Sequence, residues 1–87
     1  MEDKMQNAFK SLLQRVEREY WTILLQWVQI PNDSSTCQPY VMKMIVRYGQ
    51  KITDIICDEI AQTQKELGVT YQEMQAPLLQ FLVKQNI

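Results

Sequence analysis

A chain of 87 residues with 46% hydrophobic and 22% charged side chains has the composition of one globular domain, not of a disordered segment. Two glycines and three prolines are too few turn formers for an all-β fold. A net charge of −1 lacks the basic excess of a dedicated nucleic-acid binder. The absence of histidine removes the commonest general base and metal ligand.

The first predicted helix runs from about Asp3 to Ile30. Phe9, Leu13, Val16, Tyr20, Ile23, Trp27 and Ile30 recur at alternating spacings of four and three, which lays one apolar seam along a helix. Glu2 and Asp3 stand where acidic groups favour a helix start. Pro31 ends the helix, which at about 1.5 Å per residue is roughly 40 Å long. The polar opening, Met1 to Gln6, does not read as a signal peptide, and none is expected. The apolar stretch Tyr20 to Ile30 is too short, and too interrupted by Thr22, Gln26 and Gln29, to span a membrane.

Pro31 to Pro39 is a run of turn and cap residues and predicts the loop of a hairpin. It holds Cys37, which reads as exposed, and an Asn32-Asp33-Ser34 glycosylation triplet that reads as chance. Two cysteines do not make a disulfide framework, so the expected setting is a reducing cytoplasm or an intracellular host compartment.

The second predicted helix runs from about Pro39 to Leu67. Val41, Ile45, Tyr48, Ile52 and Ile55, then Ile56, Ile60 and Leu67, continue the helical spacing. Gly49 either admits a close backbone or splits the segment. The apolar phase carries across it, which predicts one continuous helix. Gly68 suits a left-handed helix end. Thr70 and Glu73 make a capping box, with Val69 and Met74 as its hydrophobic staple. The third helix therefore starts near Tyr71. Tyr71, Met74, Leu78 and Phe81 keep helical spacing through Pro77, which predicts one helix kinked there. The expected fold is all-α: residues 1–87 as a single domain, a long antiparallel hairpin plus a shorter third helix.

In that hairpin the third helix runs back along the open end and falls short of the loop end. The loop end is nonetheless apolar around both helices, which marks buried surface. Trp21, Leu25 and Val28 on helix one, and Met42 and Val46 on helix two, lie off the seam. They are the expected partner-binding residues, with Trp21 and Met42 as anchors. The partner would be a second copy or a different protein. Alternatively, the third helix swings over the loop end, or Gly49 breaks helix two and folds it back, and the chain buries this surface itself.

The predicted function is that of a non-enzymatic protein-interaction module, without catalytic residues, cofactor, metal or small-molecule substrate. Cys57 reads as a half-buried small hydrophobe. Asp54, Asp58 and Glu59 lack the histidines of a di-metal bundle, and pairing of Asp54 and Asp58 with Arg15 and Arg18 across the hairpin is expected instead. The alternative function is nucleic-acid binding by Lys43, Arg47 and Lys51, helped by Arg15 and Arg18 and by stacking on Tyr40 and Tyr48. The same stripe beside apolar residues gives a weaker case for a membrane surface.

Overall fold

The computed structural model describes residues 2–31, 41–85 and 87. The predicted loop, with Cys37, Tyr40 and the Asn32-Asp33-Ser34 triplet, lies outside the described residues except for Pro31. Among the described residues the fold is all-α, with five helices: α1 (Glu2–Arg15), α2 (Trp21–Gln29), α3 (Val41–Tyr48), α4 (Gln50–Leu67) and α5 (Tyr71–Lys84). A short 3-10 turn at Arg18–Tyr20 joins α1 to α2. Each of the two long helices expected from the apolar spacing is thus two helices. The longest dimension of the molecule, 35 Å, is less than a straight 28-residue helix needs.

The break after α1 has no glycine or proline to mark it. The Val16 amide still donates to the Leu12 carbonyl at 3.1 Å, as in a helix. In a continuous helix the Tyr20 amide would next donate to Val16. The Trp21 indole Nε1 takes that carbonyl instead, at 2.9 Å, and the Tyr20 amide turns to the Glu17 carbonyl at 2.8 Å. Glu17 is extended, at φ −59° and ψ 142°. A side chain one residue into α2 thus satisfies a backbone acceptor that the break would otherwise leave open.

Gly49 breaks the second segment, against the expectation of continuity. Its φ of 90° and ψ of 157° lie in territory reserved for glycine. A Cβ placed there would meet nothing within 4 Å, so Gly49 serves the backbone turn and not a close approach. Its amide still closes α3 on the Ile45 carbonyl at 2.9 Å, and its carbonyl opens α4 by accepting from Thr53 at 3.2 Å.

The junction between α4 and α5 follows the sequence reading. Gly68 is left-handed, at φ 67° and ψ 34°, and the Gly68 and Val69 amides both reach the Gln64 carbonyl. The Thr70 hydroxyl accepts from the Glu73 amide at 3.1 Å, while the Glu73 carboxylate accepts from the Thr70 amide at 3.0 Å. Met74 is fully buried and Val69 packs against the core. The helix α5 runs through Pro77 to Lys84.

One core draws on all five helices: Phe9, Leu12, Leu13 and Val16; Leu24, Trp27 and Val28; Met44; Ile56 and Ile60; and Tyr71, Met74, Leu78, Phe81 and Leu82. The Phe9 and Phe81 rings meet at 5.6 Å, tilted by 53°. The helix α1 packs on α4, α3 on α4, and α2 on α5. That last pairing overturns the expectation that the third helix cannot cover the loop end. The turn after Val16 folds α2 back within reach of α5. It also shifts the buried face of α2 from Ile23 and Ile30, which are half-buried, to Leu24 and Val28. The side-chain amide of Gln75 fixes the contact by donating to the Val28 and Ile30 carbonyls at 2.9 and 2.7 Å, which caps the end of α2.

Candidate functional site

The five residues expected to form one partner surface are divided by the fold. Val28 is fully buried between α2 and α5 and presents no surface. After the turn that ends α1, α2 packs on α5. Trp21 is half-buried. Its N–H is engaged by Val16, and the Arg18 guanidinium lies 5.6 Å from its ring centre, within cation–π range. Leu25 is half-buried against the core. Met42 and Val46, by contrast, are 70% and 84% exposed.

The exposed surface is therefore one face of α3. At about 100° per residue, Met44 and Tyr48 point inward, and Val41 and Ile45 follow on one side of them. Met42 and Val46 come next, and Lys43 and Arg47 close the circle. The burial pattern matches this order: Met44 is buried, Val41, Ile45 and Tyr48 are half-buried, and Met42, Lys43, Val46 and Arg47 are exposed. Only part of the apolar arc is used by the fold, through α4 and through the Tyr48 hydroxyl, which donates to the Gln26 side chain on α2. A strip of Met42 and Val46, bordered by Val41 and Ile45, is left uncovered. Val83, 59% exposed on α5, is the other large apolar side chain standing in solvent among the described residues.

The charged groups are also arranged differently from the expectation. Arg15 reaches neither Asp54 nor Asp58. Its Nε meets the Glu59 carboxylate at 2.6 Å and its Nη1 meets Glu66 at 3.6 Å, with the buried Thr63 hydroxyl accepting from Nη2 at 3.3 Å. The register between α1 and α4 differs from that of a hairpin centred on the loop, because both helical arms of that hairpin are broken. Arg15 is thereby removed from the basic stripe, and Arg18 sits over Trp21. Lys43 and Arg47 remain together on α3, and Lys51 follows on α4 beyond the Gly49 turn. None of these three forms an ion pair among the described residues.

Two shifted acidities mark local structure. The Thr70 backbone and hydroxyl hydrogen bonds hold the Glu73 carboxyl below its ordinary range. The neighbouring Glu19 carboxylate, with partial desolvation and Glu17, pushes the Tyr20 phenol up. Neither accompanies a nucleophile or a paired acid and base. Cys57 is half-buried and packed against the core. Among the described residues no group of three His, Cys, Asp or Glu side chains is placed to hold a metal ion. A groove of about 380 Å³ between α1 and α5 is lined by Met5, Gln6, Phe9, Pro77, Phe81 and Lys84 among others, and lacks convergent reactive groups. No helix among the described residues is long and apolar enough to cross a membrane.

No protein-family model, curated protein or solved structure matches this chain.

Sequence reasoning missed Gln75 and mistook the job of Trp21. A helix ended by Pro31 leaves carbonyls in need of donors, so a donor was required, but spacing alone does not say which polar side chain arrives from α5.

Proposed function

We propose that the chain is a non-enzymatic protein-interaction module whose docking surface is the outer face of α3. The observation that carries this reading is the exposure of Met42 and Val46 beside half-exposed Val41 and Ile45 on a single short helix. Burying a large apolar side chain contributes about 1.5–3 kcal/mol, so covering Met42 and Val46 favours association by roughly 3–6 kcal/mol before the cost of lost freedom. That gain is offset by a cost of association of roughly 4–15 kcal/mol, so the border residues must contribute as well and the partner is a weak, reversible one. The patch is smaller than the five-residue surface expected from sequence because α5 already covers Val28 and much of α2.

The test is a set of amphipathic helical peptides sharing one leucine stripe, titrated into isotope-labelled protein and followed by amide chemical shifts. Shifts confined to α3 and its border, lost in a Met42→Asp/Val46→Asp variant of unchanged helicity, are expected. Peptides that leave α3 unperturbed, or that bind the double variant equally well, would refute the proposal. Self-association measured by light scattering and lost in the same variant would make the partner a second copy.

The second reading, nucleic-acid binding, has one observation in its favour: Lys43, Arg47 and Lys51 are exposed and form no ion pair among the described residues. Arg15 no longer belongs to that set, and an apolar strip runs beside the cations. Three cations contacting phosphates give a log-log salt slope of about −3, which a titration in sodium chloride measures directly.

A further inference from the structure

We infer that the occupant of the α3 face is a helix that is apolar along one stripe and carries two carboxylates one turn apart along the flank that meets Lys43 and Arg47. This rests on α3 being the docking face, and it adds the chemistry of the partner.

The strip on α3 is asymmetric. Past Val41 and Ile45 it merges into the core side of the helix, while past Val46 it ends at Lys43 and Arg47. These two cations are four residues apart, so about 6 Å of helix rise separates them on one row. Neither has an ion-pair partner among the described residues, whereas Arg15 has two carboxylates. A docked helix whose apolar stripe covers Met42 and Val46 brings its own flank against this row. Like charges there repel, neutral groups leave the cations partly desolvated without a partner, and carboxylates at i and i+4 match both positions.

The same geometry weighs against a second copy. An antiparallel two-fold pairing of α3 with α3 keeps corresponding flanks on the same side, which lines up Lys43 and Arg47 of both copies within about one Debye length. A parallel pairing sets the cations of each copy against Val41 and Ile45 of the other. Nucleic acid would satisfy Lys43 and Arg47 but would leave Met42 and Val46 facing phosphate or solvent. An anionic lipid surface would gain little from an eight-residue helix with two cations.

Three peptides distinguish these cases. They share one leucine stripe and differ only in the flank, which carries glutamate, glutamine or lysine at i and i+4. Fluorescence polarisation at low salt is expected to rank them in that order, with roughly a tenfold difference in affinity between the glutamate and lysine peptides. Added salt should shrink the difference. A Lys43→Glu/Arg47→Glu variant, checked for native helicity by circular dichroism, should reverse the order.

Equal affinities of all three peptides for α3 would overturn the inference and leave the docking face in place. Binding of none would remove both. Binding of duplex DNA or of phosphatidylserine vesicles more tightly than the glutamate peptide, insensitive to Val46→Asp, would overturn the inference in favour of a phosphate ligand. A wild-type dimer that Val46→Asp dissolves would overturn it in favour of a second copy.

Discussion

Replacing Gly49 by alanine tests the broken second segment by the sign of a stability change. In the structure Gly49 holds φ 90° and ψ 157°, where an L-residue is strained by about 1–3 kcal/mol. The added methyl meets nothing within 4 Å, so neither a clash nor a new contact contributes. Alanine is therefore expected to destabilise the protein by about 1–3 kcal/mol, which for a domain of this size lowers Tm by several degrees. In a continuous helix the same change would stabilise by about 1 kcal/mol, through helix propensity. Urea unfolding followed by circular dichroism reads the difference, provided that the m-value is unchanged. D-alanine, introduced by chemical synthesis, provides a control. It accepts positive φ, so it should be neutral or should stabilise by about 0.4–1 kcal/mol through the unfolded chain. Stabilisation by L-alanine would refute the break at Gly49, and with it the placement of α3.

Three further outcomes follow from the joints of the fold. Gln75→Ala removes two hydrogen bonds to the end of α2 and is expected to cost about 1–3 kcal/mol. Hydrogen exchange should show the loss concentrated in α2, and uniform loosening of all helices would contradict the capping role. Trp21→Phe keeps most of the ring but leaves the Val16 carbonyl without its donor, so a cost of about 1 kcal/mol is expected, with faster exchange of the Val16 and Tyr20 amides. For Glu73 the folded acidity is displaced downward by Thr70. Its contribution is present above the ordinary carboxyl range and is lost as pH falls through the lowered folded value. A Glu73→Gln variant should show a shallower fall in stability with acidification in that window, and identical acid profiles would reject the linkage.

The parts of the fold that were legible in the sequence are those held by local chemistry. Gly68, Thr70 and Glu73 act through neighbours within a few residues, so their spacing was enough to place the α4–α5 junction and the start of α5. The buried residues Tyr71, Met74, Leu78 and Phe81 followed from helical spacing alone. The breaks were not legible for a physical reason. The apolar seam from Phe9 to Ile30 keeps helical spacing across the break, where the Trp21 indole stands in for one backbone donor at Val16. Spacing does not record such a substitution. At Gly49 the sequence held a real signal, but the unbroken apolar phase outweighed it. The basic stripe was legible as a row of cations. That Arg15 would turn to Glu59 and Glu66 depended on the shifted register of α1 and α4.

The two breaks also explain why the excess apolar surface collects on α3. The elbow at Val16 turns α2 into the core, where α5 and Gln75 cover it, so half of the apolar loop end becomes interior. The turn at Gly49 lays α3 chiefly on α4, with one fully buried side chain, Met44, and the Tyr48 hydroxyl bond to Gln26 on α2. For holding the fold, positions 42 and 46 have no need of apolar groups. A β-branched valine at a solvent-facing helical position is a poorer helix former than lysine, glutamate or glutamine. At 84% exposure Val46 returns almost no burial for that cost. Exposed apolar side chains scattered singly need no explanation. Met42 and Val46 are not scattered: they share one row, with Val41 and Ile45 along one border and, along the other, Lys43 and Arg47, which form no ion pair among the described residues. The proposed docking would give that combination a use, which stability of the isolated chain does not.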